Sequence, residues 1–279
     1  MSTVDFAIAL IYNDIMIDTH THCYHSQDSR APARDMIEGA IAKGLQYIAL
    51  TDHYDLDMLG FPQVPQIDLP RHFEELTILK EQYKGKIQLA IGIECGWAKD
   101  VQDDYARNLA PYKLDMTINS VHMIDGKDCY AEGYYDDLPM DKCYDDYLNS
   151  VIDSLSAPYR FDSIGHLGYI MRKAPYPDPI MKYTQFGDKL DHILRTIIDK
   201  GVALEVNTHT KNLPIRCLPT IEILTRYREM GGELLTFGSD AHQPIRLADK
   251  YDETMERLKV LGYKYIFKYL SHEPIAHKI

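Results

Sequence analysis

The sequence predicts one α/β domain folded as a parallel, TIM-barrel-like (β/α) barrel, on three observations. Short β-branched runs alternate with longer helical patterns seven times, which implies right-handed crossovers and a parallel sheet. The length of 279 residues suits one such domain, and at that length closure into a barrel is favoured over an open sheet. Finally, almost every predicted strand ends on its C-terminal side in a residue able to hold a metal, the face where parallel barrels build their sites.

Ile15 and Ile17 lead a first strand into Asp18-Thr19-His20-Thr21-His22. Residues i and i+2 of a strand share a side, so His20 and His22 reach one ion together, with Asp18 facing the same way as a supporting partner. Ala31-Pro32 opens a helix that runs to Lys43 and stops at Gly44. Tyr47–Leu50 is a second strand delivering Thr51-Asp52-His53; a loop with Pro62, Pro65 and Pro70 then leads to a helix over Phe73–Tyr83. Ile87–Ile93 ends at Glu94, Asp103–Ala110 is helical, and Met116–Ser120 ends at His122. Met123–Pro139 is polar and rich in Tyr, Asp and Gly, and reads as a loop over the functional face. A helix over Tyr144–Ser154 and a short strand Phe161–Ile164 bring His166. After Pro175, Pro177 and Pro179 comes an amphipathic helix, Phe186–Lys200, stopped by Gly201. Val202–Val206, a helix over Thr220–Met230, and Leu234–Gly238 deliver Ser239-Asp240-Ala241-His242; a helix over Asp252–Leu261 and a strand-like Tyr263–Tyr269 close the pattern.

A formal charge of −12 without a Lys/Arg-rich run disfavours a stable nucleic-acid partner. Five cysteines without a CxxC pair exclude a disulfide scaffold and point to a reduced, cytoplasmic setting. Residues 1–14 read as an N-terminal extension to a domain over 15–279. Its apolar run Phe6–Tyr12 follows Asp5 and no basic residue, and is too short to span a bilayer. It reads as an extra strand or helical turn covering one end of the barrel. Nothing later is long and apolar enough to be a membrane span, and no feature fixes an oligomeric state.

Singly, each strand-end residue has a bland reading: His166 as a core hydrogen-bonder, Glu94 as a solvated carboxylate. Their joint phase does not, because chance would scatter them as His72, His192, His272 and His277 are scattered. Mixed imidazole and carboxylate donors suit zinc, manganese or iron better than calcium or magnesium. A bridging carboxylate holds two ions about 3.5–4 Å apart, a spacing that suits phosphate-ester cleavage. No GxxxxGK[ST] loop and no GxSxG elbow is present, so triphosphate motors and serine hydrolases lack their parts.

The set Asp18-Thr19-His20-Thr21-His22, Thr51-Asp52-His53, Gly92-Ile93-Glu94, Ser120-Val121-His122, Gly165-His166-Leu167-Gly168 and Ser239-Asp240-Ala241-His242 resembles the PHP (polymerase and histidinol phosphatase) superfamily. The resemblance implies a distorted (β/α)7 barrel carrying three divalent ions. His20, His22, Glu94 and Asp240 would hold one; Glu94, His122 and His166 a second; His53, His242 and Asp28 the third, with Asp28 preferred to His25. The Arg160–Tyr169 block and the size are similar to the histidinol-phosphatase branch. That implies a small phosphorylated substrate, L-histidinol phosphate, hydrolysed to histidinol and phosphate. On this reading Arg160 and Arg172 bind phosphate, Arg160 also neutralising charge in catalysis, His209 lines the pocket, and Asp240 or His242 handles the proton. The alternatives are a related phosphoesterase for nucleotides, oligonucleotide ends or phosphotyrosine, and a non-catalytic PHP interaction module. An amidohydrolase shares HxH, but this chain has no strand-end lysine resembling that group's bridging one.

Overall fold

The structure, a computed structural model, describes residues 16–56, 66–211 and 213–279. The N-terminal run Phe6–Tyr12, with Pro62 and Pro65, lies outside them. In chain order the elements are β1 (Met16–Thr21), α1 (Ala33–Ala42), β2 (Leu45–Tyr54), α2 (Leu69–Gln82), β3 (Gln88–Gly96), α3 (Gln102–Leu109) and β4 (Met116–Ser120). A two-strand hairpin, β5 (Met123–Ile124) and β6 (Lys127–Asp128), precedes α4 (Met140–Ser154). Then come β7 (Ser163–Ile164), α5 (Tyr183–Lys200), β8 (Ala203–Asn207), α6 (Ile221–Glu229), β9 (Leu235–Gly238) and α7 (Tyr251–Val260), and finally β10 (Tyr265–Leu270) and β11 (Glu273–Lys278).

Seven strands pair in parallel in the order β1-β2-β3-β4-β7-β8-β9. The seam between β9 and β1 closes just past the end of β9. Asp240 N donates to His20 O at 2.8 Å, His22 N donates to Ala241 O at 2.9 Å, and the Thr19 hydroxyl reaches Phe237 O at 2.9 Å. The barrel is therefore closed at the end where the histidines lie. Helices cover it by the periodicity the sequence shows: α5 buries Phe186, Leu190, Ile193, Leu194 and Ile197, one stripe at three- and four-residue spacing. Gly201 ends that helix at φ +66°, a conformation that costs glycine nothing.

Two of the differences from expectation change how the elements pack. Pro70 belongs to the first turn of α2, not to the loop, where its missing N–H costs nothing; Asp68 caps the turn by accepting from Arg71 N. The last strand-like run does not join the barrel. β10 pairs antiparallel with β11, and this hairpin plugs the N-terminal end of the barrel. Tyr269 packs there with Met116, Ile118 and Ala203; Tyr47 Oη donates to Tyr269 O at 2.9 Å, and Ser271 N to Asp115 Oδ1 at 3.1 Å.

The same plug carries a pH sensitivity. His277 is buried with Nε2 unpartnered, and burial, with Lys268 nearby, pushes its pKa down to about 4. The unfolded chain takes up that proton near the ordinary histidine pKa of about 6.5. Stability is thus lost as pH falls from 6.5 towards 4. Replacing His277 by leucine should flatten the acid limb by up to about 1.4 kcal/mol per pH unit, read from urea unfolding at several pH values; parallel limbs for the two proteins would refute it. Among the described residues, no helix is long and apolar enough to cross a membrane, and all five cysteines are buried and unpaired.

Candidate metal centre

The C-terminal ends of six of the seven barrel strands, all but β8, bring eight of the nine expected ligands to one buried cluster, with Asp28 added from the loop after β1. Glu94, fully buried, is its hub. One oxygen, Oε1, lies 2.8 Å from His166 Nε2 and 3.2 Å from His122 Nε2. The other, Oε2, lies 3.2 Å from His20 Nε2, 3.6 Å from His22 Nε2 and 2.9 Å from His53 Nδ1. One carboxylate therefore faces two groups of imidazoles with different oxygens, the arrangement of a bridging ligand. Asp240 Oδ1 sits 3.3 Å from His22 Nε2 and 4.0 Å from His20 Nε2. The Asp28 carboxylate lies 2.9 Å from His242 Nε2 and 3.7 Å from His53 Nε2. His25 turns away to Glu75, 3.1 Å off, so the geometry favours Asp28.

The donor atoms fit cations. His20 Nε2, His22 Nε2, His53 Nδ1, His242 Nε2 and Glu94 Oε2 are all buried, and their close mutual contacts are not aligned as hydrogen bonds, a costly state for polar atoms unless an ion satisfies them. His22 is stacked between His53 and His242, each ring centroid 4.3 Å away. Burial, then those two rings, push its pKa down to about 4, leaving the neutral imidazole that a ligand must be. Burial works to raise the Glu94 carboxyl, yet His20, His53 and His122 hold it well below the usual range. Likewise Arg172 and His20 overcome burial at Asp240.

Residues the sequence reading did not single out orient this cluster. Glu205, on β8, is fully buried; Oε1 accepts from His20 Nδ1 at 2.6 Å and Oε2 accepts from His166 N at 2.6 Å. That bond pins His166 at φ +21°, a sparsely populated backbone region. Asp55 lies 2.9 Å from His122 Nδ1. Ser120 donates to Glu94 Oε1 at 2.6 Å. Ser26 donates to Asp52 and accepts from His53 N, so its contact with His22 Nδ1 at 3.0 Å is one the ring must donate. That fixes Nε2 as the ligating atom. The only sequence signal for Glu205 was a carboxylate flanked by Leu204 and Val206 in a buried strand. Asp18 does not support the histidine rings as expected. It accepts instead from Ser239 N and Ala248 N, tying β1 to the segment after β9, and burial pushes its pKa up to about 6.

Glycines make room for these carboxylates. A Cβ on Gly96 would lie 1.5 Å from Asp55 Oδ1, and one on Gly238 would lie 2.1 Å from Glu205 Oε1. Gly96→Ala should push Asp55 off His122 and weaken metal affinity about 10–100-fold with the fold retained, measured by chelator competition; affinity equal to wild type would contradict this.

A cavity of about 300 Å³ opens over the cluster, lined in part by Asp28, Asp128, Tyr130, Arg172, His209 and Lys211. Arg172 and His209 are where expected. Arg172 lies 2.9 Å from Asp240 Oδ2 and donates to Asn207 Oδ1 at 2.8 Å, and His209 Nδ1 lies 3.6 Å from Asp240 Oδ2. Arg160 is not. It precedes β7, so it lies at the opposite end of the barrel, donating to His272 O at 2.8 Å and lying 3.7 Å from Asp162. In a parallel barrel the C-terminal rim is built from the C-terminal ends of the strands and the loops that follow them, and Arg160, three residues before β7, does not line the cavity there.

A seven-stranded parallel barrel whose strand ends converge on a buried cluster of histidines around one carboxylate defines a metal-dependent hydrolase scaffold. The chain belongs to the PHP domain family, whose profile matches residues 18–209. It is 30% identical over 227 residues to the histidinol-phosphatase of Lactococcus lactis subsp. lactis (strain IL1403), covering 81% of this chain and 84% of the relative. It is 25% identical over 269 residues to the histidinol-phosphatase of Bacillus subtilis (strain 168), covering 86% and 98%. Its structure is similar to that of the Lactococcus lactis histidinol phosphate phosphatase complexed with zinc, L-histidinol and phosphate. That match has a TM-score of 0.82 and 27% identity, and covers 92% of this chain and 98% of the other.

Proposed function

We propose that this chain is a metal-dependent phosphomonoesterase that hydrolyses L-histidinol phosphate to histidinol and phosphate. The observation that carries the reading is Glu94, whose two oxygens face two sets of imidazoles beneath a cavity of about 300 Å³. That volume is at the low end for ligand pockets and suits a small ester. The substrate comes from the relatives: the Lactococcus lactis enzyme is similar to this chain along almost its whole length and was solved with L-histidinol and phosphate.

Three divalent ions belong to this reading, zinc foremost, in the groups His20, His22, Glu94 and Asp240; Glu94, His122 and His166; and Asp28, His53 and His242. When bound, the ions supply Lewis-acid stabilisation of phosphoryl oxygens and make water acidic enough to attack at neutral pH. The chain's own residues do the rest. Arg172, buried at the cavity wall with Nε unpartnered, presents planar donors to a phosphate oxygen. Asp240, held ionised well below the usual carboxylate range by Arg172 and His20, stays an anion suited to holding a cation, and His242 stands beside it, 3.7 Å away. A cytoplasmic location is part of the same reading. A panel of phosphate monoesters assayed with zinc and with manganese should show the highest kcat/KM on L-histidinol phosphate. A clear preference for a nucleotide or phosphotyrosine would overturn the assignment.

A further inference from the structure

We propose that His72 is a positioning residue for the metal centre: through Asp52 and Ser26 it keeps the His22 ring in the tautomer that leaves Nε2 free for an ion. The inference rests on the metal-centre reading and extends it to a helix residue that the strand-end pattern does not reach. His72 lies in the first turn of α2 and is fully buried. Its Nε2 stands 3.2 Å from Asp52 Oδ2, and among the described residues no other basic side chain is paired with that carboxylate. Asp52, also fully buried, ties the turn after β1 to the end of β2. Its Oδ1 accepts from Cys23 N at 2.7 Å and from the Ser26 hydroxyl at 2.8 Å. Its Oδ2 accepts from the Cys23 thiol at 3.1 Å, a weak donor, and has His72 on its other side.

A buried carboxylate is costly without a strong partner. Without His72, Oδ2 keeps the thiol alone, and the carboxylate is free to turn. Ser26 depends on where it stands. The hydroxyl donates to Asp52, accepts from His53 N at 3.0 Å, and lies 3.0 Å from His22 Nδ1. Its one proton is committed only while Asp52 holds it. A released hydroxyl donates to His22 Nδ1 instead, which leaves the ring proton on Nε2, the atom turned towards Glu94 and Asp240. In that tautomer Nε2 has no lone pair for an ion. A histidine that merely filled space beside His25 and Phe73, its two ring neighbours at 5.1 Å, would have no such effect on the metal.

The test is zinc affinity of the full chain, measured by chelator competition, for His72→Leu, His72→Gln, Ser26→Ala and the double variant H72L/S26A. Leucine removes the donor, and affinity should fall about 10–100-fold. Glutamine, whose amide nitrogen takes the place of Nε2, should bring affinity back close to the wild-type value. In the Ser26→Ala background the link to His22 is already cut, so H72L should cost little more, as residues acting in one network do. Wild-type affinity in H72L, an equal loss in H72Q, or losses that simply add in the double variant would each overturn the proposal while leaving the metal centre in place. Should H72L fail to fold, His72→Asn replaces it. Its amide is as polar as that of glutamine but falls short of Asp52, so it should show the loss that glutamine does not; equal affinity in the two amides overturns the proposal as well. A wild type that binds no zinc defeats the metal-centre reading and this proposal with it.

Discussion

Glu94→Gln should lower kcat by on the order of 10³-fold or more and reduce the divalent metal bound per chain. Glutamine keeps the shape and one carbonyl, but it gives up the charge and the second acceptor. The Glu94 oxygens face His122 and His166 on one side and His20, His22 and His53 on the other, so the amide places a donor against one of these sets. Metal analysis and steady-state kinetics on the same preparation check the prediction. A variant with full metal content and kcat within about tenfold of wild type, roughly 1.4 kcal/mol of barrier, would show that Glu94 does not bridge.

Glu205→Gln should weaken metal binding by about 10–100-fold although the residue touches no proposed ion. Both Glu205 oxygens already accept, one from His20 Nδ1 and the other from His166 N, with Asn207 Nδ2 also on Oε2 at 3.2 Å. An amide must turn its NH2 towards a donor in either orientation. The unpaired groups should also cost about 1–3 kcal/mol of stability, read from urea unfolding in excess chelator. Wild-type metal affinity in this variant would mean that His20 is oriented by packing alone.

The sequence made the ligands legible because strand geometry is simple: His20 and His22 share a face at i, i+2, and Glu94, His122, His166 and Asp240 follow apolar runs. It misplaced Arg160 because nearness in sequence to His166 says nothing about which end of β7 a residue occupies; three residues before a parallel strand is the wrong end of the barrel. Glu205 was passed over because it lies inside a strand, without a motif of its own. The closing hairpin was missed for a local reason. Its two-residue turn places Ser271 and His272 at φ +50° and +66°, where glycine or asparagine ordinarily announces such a turn. The cavity wall around Asp128 and Tyr130 was legible only as a polar loop, since its contacts are made across the barrel.

The most direct test of the account is hydrolysis of L-histidinol phosphate by the wild type, before chelation, after chelation, and after zinc or manganese is restored. Turnover should disappear with the metal and return with it, in step with the ions bound per chain. Turnover that survives complete removal of metal, or that fails to return when the ions rebind, would contradict a metal-dependent phosphatase built around Glu94.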